Sequence, residues 1–464
     1  MKKIFILLPD GVGLKNFALT SFNEKGEKLG YEIVYWNNTV FDIATNLGYD
    51  EVIIEDHKTS VITQILTRAK KRIELNIFDK KFNETVYRTY KFPLMNNSFN
   101  SFVKSFCVRI IEFLASNEKG NRLIRKLIKK VERSTLKYNA CKIQLEIHKP
   151  DFVFCTNPRI PKSIAPILAA EDLGIETGTF IFSWDNLPKA TTLIEPKYYF
   201  VWSEFMKNEV IKYLPFAENK NIFSTGTPQF ENHFNETLII PKQKFFDKHD
   251  LDQTKKYICF SGDDTTTSPL DQYYLKDCAI SVRDLNKKGH NLGIIFRKCP
   301  IDFTGRYDAI IKEYEDVIES IDPLWVPLGN SWDQIRPTKE DLQLQVNICK
   351  YTEFVINICS TMVFDYIAHN KTCLYLNYEQ PQLKKGMRDI GQNYKYIHFR
   401  SMPSSDSVVW GLNKLELTNK IEKILNGDGA NLENCQTWFK IVAGENPENS
   451  SDQIWNQIDR LLQA

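Results

Sequence analysis

Short apolar runs alternate with helix-length segments along nearly the whole chain. KIFILL (3–8), YEIVYW (31–36), EVIIE (51–55), FVFCTN (152–157), TGTFIF (177–182), YYFVWS (198–203) and NIFSTG (221–226) form a first series. KYICFSG (256–262), LGIIFRK (292–298), FVINICS (354–360) and TCLYLNY (372–378) form a second. Strands this apolar, spaced by helices, predict parallel sheets covered on both faces. Two series predict an α/β protein of two doubly wound domains. The pattern breaks over 234–256, where charge and a proline intervene before a new strand. We therefore expect a first domain over 1–240, with a helical insertion at about 100–147 that carries no strand signal, and a second domain over 241–450.

Charge adds one feature to this outline. Within NRLIRKLIKKVERSTLKY (121–138), Leu123, Leu127 or Ile128, and Val131 fall on one side of a helix, with Arg122, Arg125, Lys126, Lys129 and Lys130 around the other. A basic amphipathic helix can lie on the anionic face of the cytoplasmic membrane. The same pattern also describes a solvated surface helix packed by its apolar stripe.

At 464 residues, with 42% apolar and 12% aromatic side chains, the chain can bury two or three cores. A net charge of +2 argues against a nucleic-acid binder. The ten cysteines are scattered and several sit inside apolar runs, as reduced thiols of a cytoplasmic protein would. The opening MKKIFILLPDGVG reads as a strand and not an export signal, because Asp10 and two glycines cut the apolar run short. No stretch approaches the roughly 18 apolar residues of a membrane span. The expectation is a soluble cytoplasmic protein.

In parallel α/β sheets ligands bind outside the carboxyl ends of the strands. After the first strand come Asp10, Gly11 and Gly13, whose glycines permit a tight turn or a close backbone approach to a ligand. GxG without a third glycine is weak evidence for a dinucleotide. After the fifth run, Ser183, Trp184, Asp185 and Asn186 gather an aromatic face, a carboxylate and an amide, which suits a sugar or equally an interdomain seam beside an Asx-turn.

In the second half, Ser261 and Gly262 open a hydroxyl-rich turn, and Arg297 and Lys298 end a strand. Ser360 and Thr361 precede a helix that carries Asp365. A helix start presents unpaired N–H groups and partial positive charge, although Ser and Thr are also ordinary caps. A glycine turn, two cations and a hydroxyl-capped helix start at strand ends of one domain make a coherent phosphate cradle. A P-loop and a GxSxG elbow are absent, and the seven histidines have no ligand spacing. The single DxD, Asp250 to Asp252, lies in the charged linker, so no metal site is expected.

Taken together, STGTPQFE (Gly226, Pro228, Glu231) and NICSTMVFDYIAHNKTCLYL resemble GT-B-fold glycosyltransferases of bacterial surface-polysaccharide synthesis. The nearest patterns are the nucleotide-sugar 2-epimerase-like and CDP-glycerol glycerophosphotransferase-like branches. The resemblance implies two Rossmann-like domains facing a cleft, the first for the acceptor and the second for the nucleotide donor. It also implies a final helix over 451–464 packing back toward the first domain. Ser360 and Thr361 match the family's strand-end hydroxyl pair, and Arg297-Lys298-Cys299-Pro300 matches its Arg-x-His-Pro loop with Cys299 in place of histidine. A neutral thiol is a poor substitute for an imidazole donor, so Arg297 and Lys298 would carry the charge.

The expected donor-binding set is thus Ser261, Gly262, Arg297, Lys298, Ser360, Thr361 and Asp365. The acceptor side would hold Gly11, Gly13, Trp184 and Asn186. Asp10 is the first candidate base and Asp185 the second. The implied reaction is metal-independent sugar transfer from a nucleotide-sugar to a glycan or lipid-linked acceptor, with no cofactor. Polyol-phosphate transfer and a non-catalytic binding subunit are the alternatives.

Overall fold

A computed structural model describes residues 1–55, 57–327 and 335–463. The chain forms two compact units, Met1–Thr227 with Asn449–Ala464, and Pro228–Glu448.

The first unit carries seven strands: β1 Lys3–Leu8, β2 Glu32–Asn37, β3 Glu51–Ile53, β4 Phe152–Cys155, β5 Glu176–Phe180, β6 Tyr198–Val201 and β7 Ile222–Ser224. They pair in parallel in the order β3-β2-β1-β4-β5-β6-β7. Ile4 to Leu8 of β1 are all buried, as expected of a strand covered on both faces. Between β3 and β4 run the helices Val61–Phe82, Phe99–Ala115, Glu118–Glu132 and Leu136–His148. The final helix, Ser450–Gln463, belongs to this unit: Trp455 Nε1 donates to Phe22 O at 2.8 Å, and its ring stacks on Tyr31.

The second unit carries β8 Lys256–Ser261, β9 Leu292–Arg297, β10 Ile318–Ser320, the short antiparallel pair β11 Val326–Pro327 and β12 Ile335–Arg336, then β13 Thr352–Asn357, β14 Cys373–Leu376 and β15 Val409–Gly411. The main sheet is parallel in the order β10-β9-β8-β13-β14-β15. Its core includes Ile258, Phe260, Ile294, Phe296, Ile356 and Leu374 from the sheet and Leu275, Cys278 and Val282 from the helix Asp271–Lys287.

The stretch 234–256, expected as a linker, belongs to the second unit. Phe245 and Phe246 are buried there against Tyr351, and the Ile240 amide donates to Asn347 Oδ1 at 3.0 Å. Charge on its exposed side masked this apolar anchor.

In both sheets the chain builds outward from the first strand to one edge, then crosses back so that the fourth strand lies against the other side of the first. This 3-2-1-4-5-6 order creates a switch point between first and fourth strands, where the following loops diverge and leave room for a ligand. The switch points are β1/β4 and β8/β13. No described helix is long and apolar enough to cross a membrane.

Candidate functional site

At the β1/β4 switch point Asp10 is buried and its carboxylate joins the two strand ends. One oxygen accepts from the Val12 amide at 3.2 Å and the other from Asn157 Nδ2 at 2.6 Å. Asn157 follows β4 and is itself fixed, its carbonyl accepting from Ser163 Oγ at 2.6 Å and its Oδ1 from the Arg159 amide at 3.0 Å. Asp10 therefore caps the turn into the helix Val12–Phe17, of which Gly11 is the N-cap.

Gly13 has a packing role in place of the expected approach to a ligand. A Cβ there would lie 2.3 Å from Thr156 Oγ1 and 2.8 Å from Leu8 Cδ2, so only glycine lets this helix lie against the strand ends. Elsewhere in the unit, a pocket of about 320 Å³ is lined by His57, Lys58, Ser60, Lys137 and Lys162.

The cluster after β5 is closed. Trp184 and Asn186 are buried, so neither the expected aromatic face nor the amide is open to a sugar. Asp185 accepts from Ser183 Oγ at 2.7 Å and Asn186 Nδ2 at 2.8 Å, and pairs with Lys189. With the Asn186 backbone amide donating to Ser183 O at 3.2 Å, these side-chain bonds make a compact turn.

At the β8/β13 switch point Ser261 is buried at the end of β8, and the Gly262 amide donates to Arg297 O at 2.8 Å. A Cβ on Gly262 would meet Phe296 at 3.0 Å and Tyr307 Oη at 3.1 Å. The following turn is organised by Asp264, which accepts from the Thr266 and Thr267 amides at 2.7 and 3.2 Å.

On the other side, β13 ends at Asn357 and Cys359 adopts a left-handed conformation, φ +48°. Its amide donates to Tyr394 Oη at 3.0 Å, the Ser360 amide to Asn357 Oδ1 at 3.3 Å, and the Met362 amide to Ser360 Oγ at 3.3 Å. Ser360 thus caps an amide of the helix Met362–Ile367. The Thr361 amide has no partner among the described residues. Capping and an unfilled donor coexist in this one turn.

Three expected donor residues are engaged elsewhere. Arg297 forms a buried ion pair, Nη2 lying 2.8 and 2.9 Å from the two oxygens of Asp341. Asp341 also accepts from the Leu324 amide at 2.8 Å and Trp325 Nε1 at 2.6 Å. The guanidinium, expected as a phosphate ligand, is held by this carboxylate through Nη2, while Nη1 is buried with no partner among the described residues, and its field reaches the buried thiols of Cys259 and Cys349. Lys298 pairs at 3.2 Å with Asp322. Asp365 is also corrected: it is buried, 2.6 Å from His233 Nε2 and 3.0 Å from Gln345 Nε2. His233 Nδ1 lies 3.1 Å from His369, whose imidazole is lowered to about 3 by burial and by the neighbouring His233 and lysines. The Cys299 thiol is raised to about 12, first by burial and then by Asp263, so it stays neutral.

Sequence reasoning missed several groups around these loops. Arg388 donates to Thr266 O at 3.2 Å and to Tyr396 Oη at 2.5 Å, and has no carboxylate partner among the described residues. Asn393 donates to Thr267 O at 3.0 Å, and Tyr394 bridges Cys359 N to Leu376 O. Glu379 follows β14; burial and the adjoining Asp389 carboxyl push it up to about 7, while the Glu379 hydrogen bond holds Asp389 down. Glu379 directly follows the run 372–378 that was in view; Arg388 sits in a loop with no periodic signal. Among the described residues no three His, Cys, Asp or Glu side chains gather as metal ligands.

No protein-family model matches this chain, and no curated protein matches it. Solved structures do. UDP-GlcNAc 2-epimerase from Neisseria meningitidis bound to UDP-GlcNAc aligns with a TM-score of 0.54 at 11% identity, covering 100% of both chains. The UDP-GlcNAc 2-epimerase of Methanocaldococcus jannaschii aligns at 0.52 and 14% identity, covering 100% of this chain and 99% of that one. A glycosyltransferase from Rickettsia africae aligns at 0.51 and 11%, covering 99% of each. At such identities the likeness defines the fold: GT-B, with two Rossmann-like α/β domains.

Proposed function

We propose that the protein is a GT-B glycosyltransferase that moves a sugar from a nucleotide-activated donor to a glycan or lipid-linked acceptor in surface-polysaccharide synthesis, without a metal. The observation that carries the reading is the β8/β13 turn: a left-handed Cys359 fixed by Tyr394, the hydroxyls of Ser360 and Thr361, and the unfilled Thr361 amide. An oriented amide beside two hydroxyls is a seat for a diphosphate oxygen. Arg388 takes over the cationic role first given to Arg297. Ser261 and Gly262 shape the turn beside it.

In this reading the second unit holds the donor and the first the acceptor. The acceptor oxygen bonds to the anomeric carbon, the bond from that carbon to the diphosphate oxygen breaks, and the nucleoside diphosphate leaves with the bonding pair. Asp10 receives the hydroxyl proton. Oriented donors at the seat stabilise the charge that develops on the leaving phosphate. Peripheral contact with the cytoplasmic membrane through 121–138 belongs to the same reading.

A second reading, a nucleotide-sugar 2-epimerase, is favoured by the names of the Neisseria and Methanocaldococcus structures that share the fold over their full length. Incubation with a panel of UDP-, CDP-, GDP- and dTDP-linked donors and an acceptor extract separates the two. Nucleotide release with sugar appearing in the acceptor supports transfer. A changed sugar that stays attached to its nucleotide supports epimerisation. Release from a CDP-polyol alone indicates polyol-phosphate transfer, and binding without turnover a binding subunit. Stabilisation by no nucleotide in a thermal-shift screen would remove all of these readings.

A further inference from the structure

The helix Phe99–Ala115 leaves most of its large apolar side chains exposed. Its exposed side chains include Phe99 (80% exposed), Phe102, Val103, Phe106 (54%), Ile110, Phe113 (86%) and Leu114. At 100° per residue these seven positions fall within an arc of about 120°, a continuous apolar stripe. The face turned inward is mixed: Ser105 and Val108 are buried on it, with Cys107, Ile111 and Glu112 half-buried. Ser105 Oγ donates to Met95 O at 2.6 Å, and Glu112 is held by Arg72, Lys91 and Asn76. Burial of apolar surface ordinarily draws such a stripe inward, yet these seven side chains stay 42–86% exposed.

The surroundings of the stripe are cationic. The helices Phe99–Ala115 and Glu118–Glu132 touch each other and both pack on Val61–Phe82. On the second of them Ile124 and Ile128 are buried, while Leu123 and Leu127 face solvent beside Arg122, Lys126 and Lys130. Arg125 and Lys129, by contrast, are paired with Glu195. Arg109 is exposed at the edge of the stripe itself. The acidic residues of the two helices do not offset this charge: Glu112 is ion-paired, Glu132 is buried against Thr63, and Glu118 alone lies outward. At the N-terminal approach to the stripe a groove of about 340 Å³ is lined by Arg68, Lys71, Phe92 and Met95 among others. Burial and the nearby Arg159 and Lys189 cations lower Lys71 to about 8.

We infer that the Phe99–Ala115 helix docks in the plane of an anionic bilayer surface, its aromatic stripe entering the headgroup–acyl boundary while Arg109, Arg122, Lys126 and Lys130 meet lipid phosphates. An apolar stripe rimmed by cations complements such a surface on both counts. A second copy of the chain suits it less, because pairing two stripes would bring like charges together with no facing carboxylates. The groove at Arg68 and Lys71 gives a headgroup phosphate a further cationic seat. The membrane contact proposed for 121–138 thereby extends to the apolar helix beside it, whichever reaction the protein catalyses.

The test is flotation of the full chain with vesicles of phosphatidylcholine alone and of equal parts phosphatidylcholine and phosphatidylglycerol. The chain should float with the anionic vesicles only, and less so as salt is raised. Phe102→Glu with Phe106→Glu should lower partitioning by at least about tenfold with an unchanged melting temperature. Should that variant misfold, Arg122→Glu with Lys126→Glu, two exposed cations, should weaken binding in the folded protein. Failure of the parent chain to float with anionic vesicles at low salt would overturn the inference. So would a dimer in light scattering that Phe106→Glu dissolves, which assigns the stripe to a second copy.

Discussion

Replacing Arg297 with alanine would leave the Asp341 carboxylate buried with its ionic partner gone. The side chains of this pair are only 7% and 2% exposed, so water cannot substitute for the guanidinium. Breaking a buried pair from one side costs about 3–5 kcal/mol. The Leu324 amide and Trp325 Nε1 still donate to Asp341, which places the expected loss near about 3 kcal/mol. For a domain of roughly two hundred residues that corresponds to a fall in Tm of about 6–12 °C. Differential scanning calorimetry reads this directly, and isothermal titration with a nucleoside diphosphate on the same samples separates folding from binding. Removing both charges, Arg297→Met with Asp341→Asn, should restore part of the loss, because no unpaired charge remains and the amide oxygen can still accept from Leu324 or Trp325. A Tm within about 1 °C of the parent, together with a tenfold loss of nucleotide affinity, would refute the reasoning and return Arg297 to the phosphate site.

Asp10→Asn should lower turnover by about 10² to 10⁴ if the carboxylate takes the acceptor proton, with nucleotide affinity unchanged by titration; turnover within a few fold of the parent would leave Asp10 as the turn cap that binds Val12 and Asn157. Burial pushes Glu209 up to about 8 from 4.5, so between those values the folded state binds more protons than the unfolded and stability falls as pH rises. Glu209→Gln should therefore raise Tm relative to the parent at pH 8 and not at pH 4.5, and parallel Tm–pH curves would count against this. Activity in a nucleotide-release assay should persist in EDTA; complete loss restored by magnesium or manganese would end the metal-free mechanism.

The sheets were legible because a strand buried on both faces is written as an unbroken apolar run. Each of the eleven runs coincides with a strand. Of the strands that went unread, β10 and β15 are three-residue edge strands with only one buried residue each, and β11 and β12 have two residues each, all too short to produce a run. The strand-end positions of the expected site residues were legible, but their partners were not. Ser360 and Thr361 could be placed at a helix start because hydroxyls between a strand and a helix are common there, and Ser360 does cap the Met362 amide. Arg297 was correctly placed at a strand end, yet its partner lies 44 residues on, where nothing local marks Asp341 as buried. Asn157 closed a run already in view, and only the 3-2-1-4 strand order brings it to Asp10 across 147 residues.

A crystal structure with a bound nucleoside diphosphate is the decisive test of the diphosphate seat proposed at the β8/β13 turn. A phosphate oxygen is expected within hydrogen-bonding distance of the Thr361 amide and of the Ser360 or Thr361 hydroxyl, with Arg388 the nearest cation. A diphosphate bound at the β1/β4 turn beside Asp10 and Asn157, with the Thr361 amide left unfilled, would contradict it.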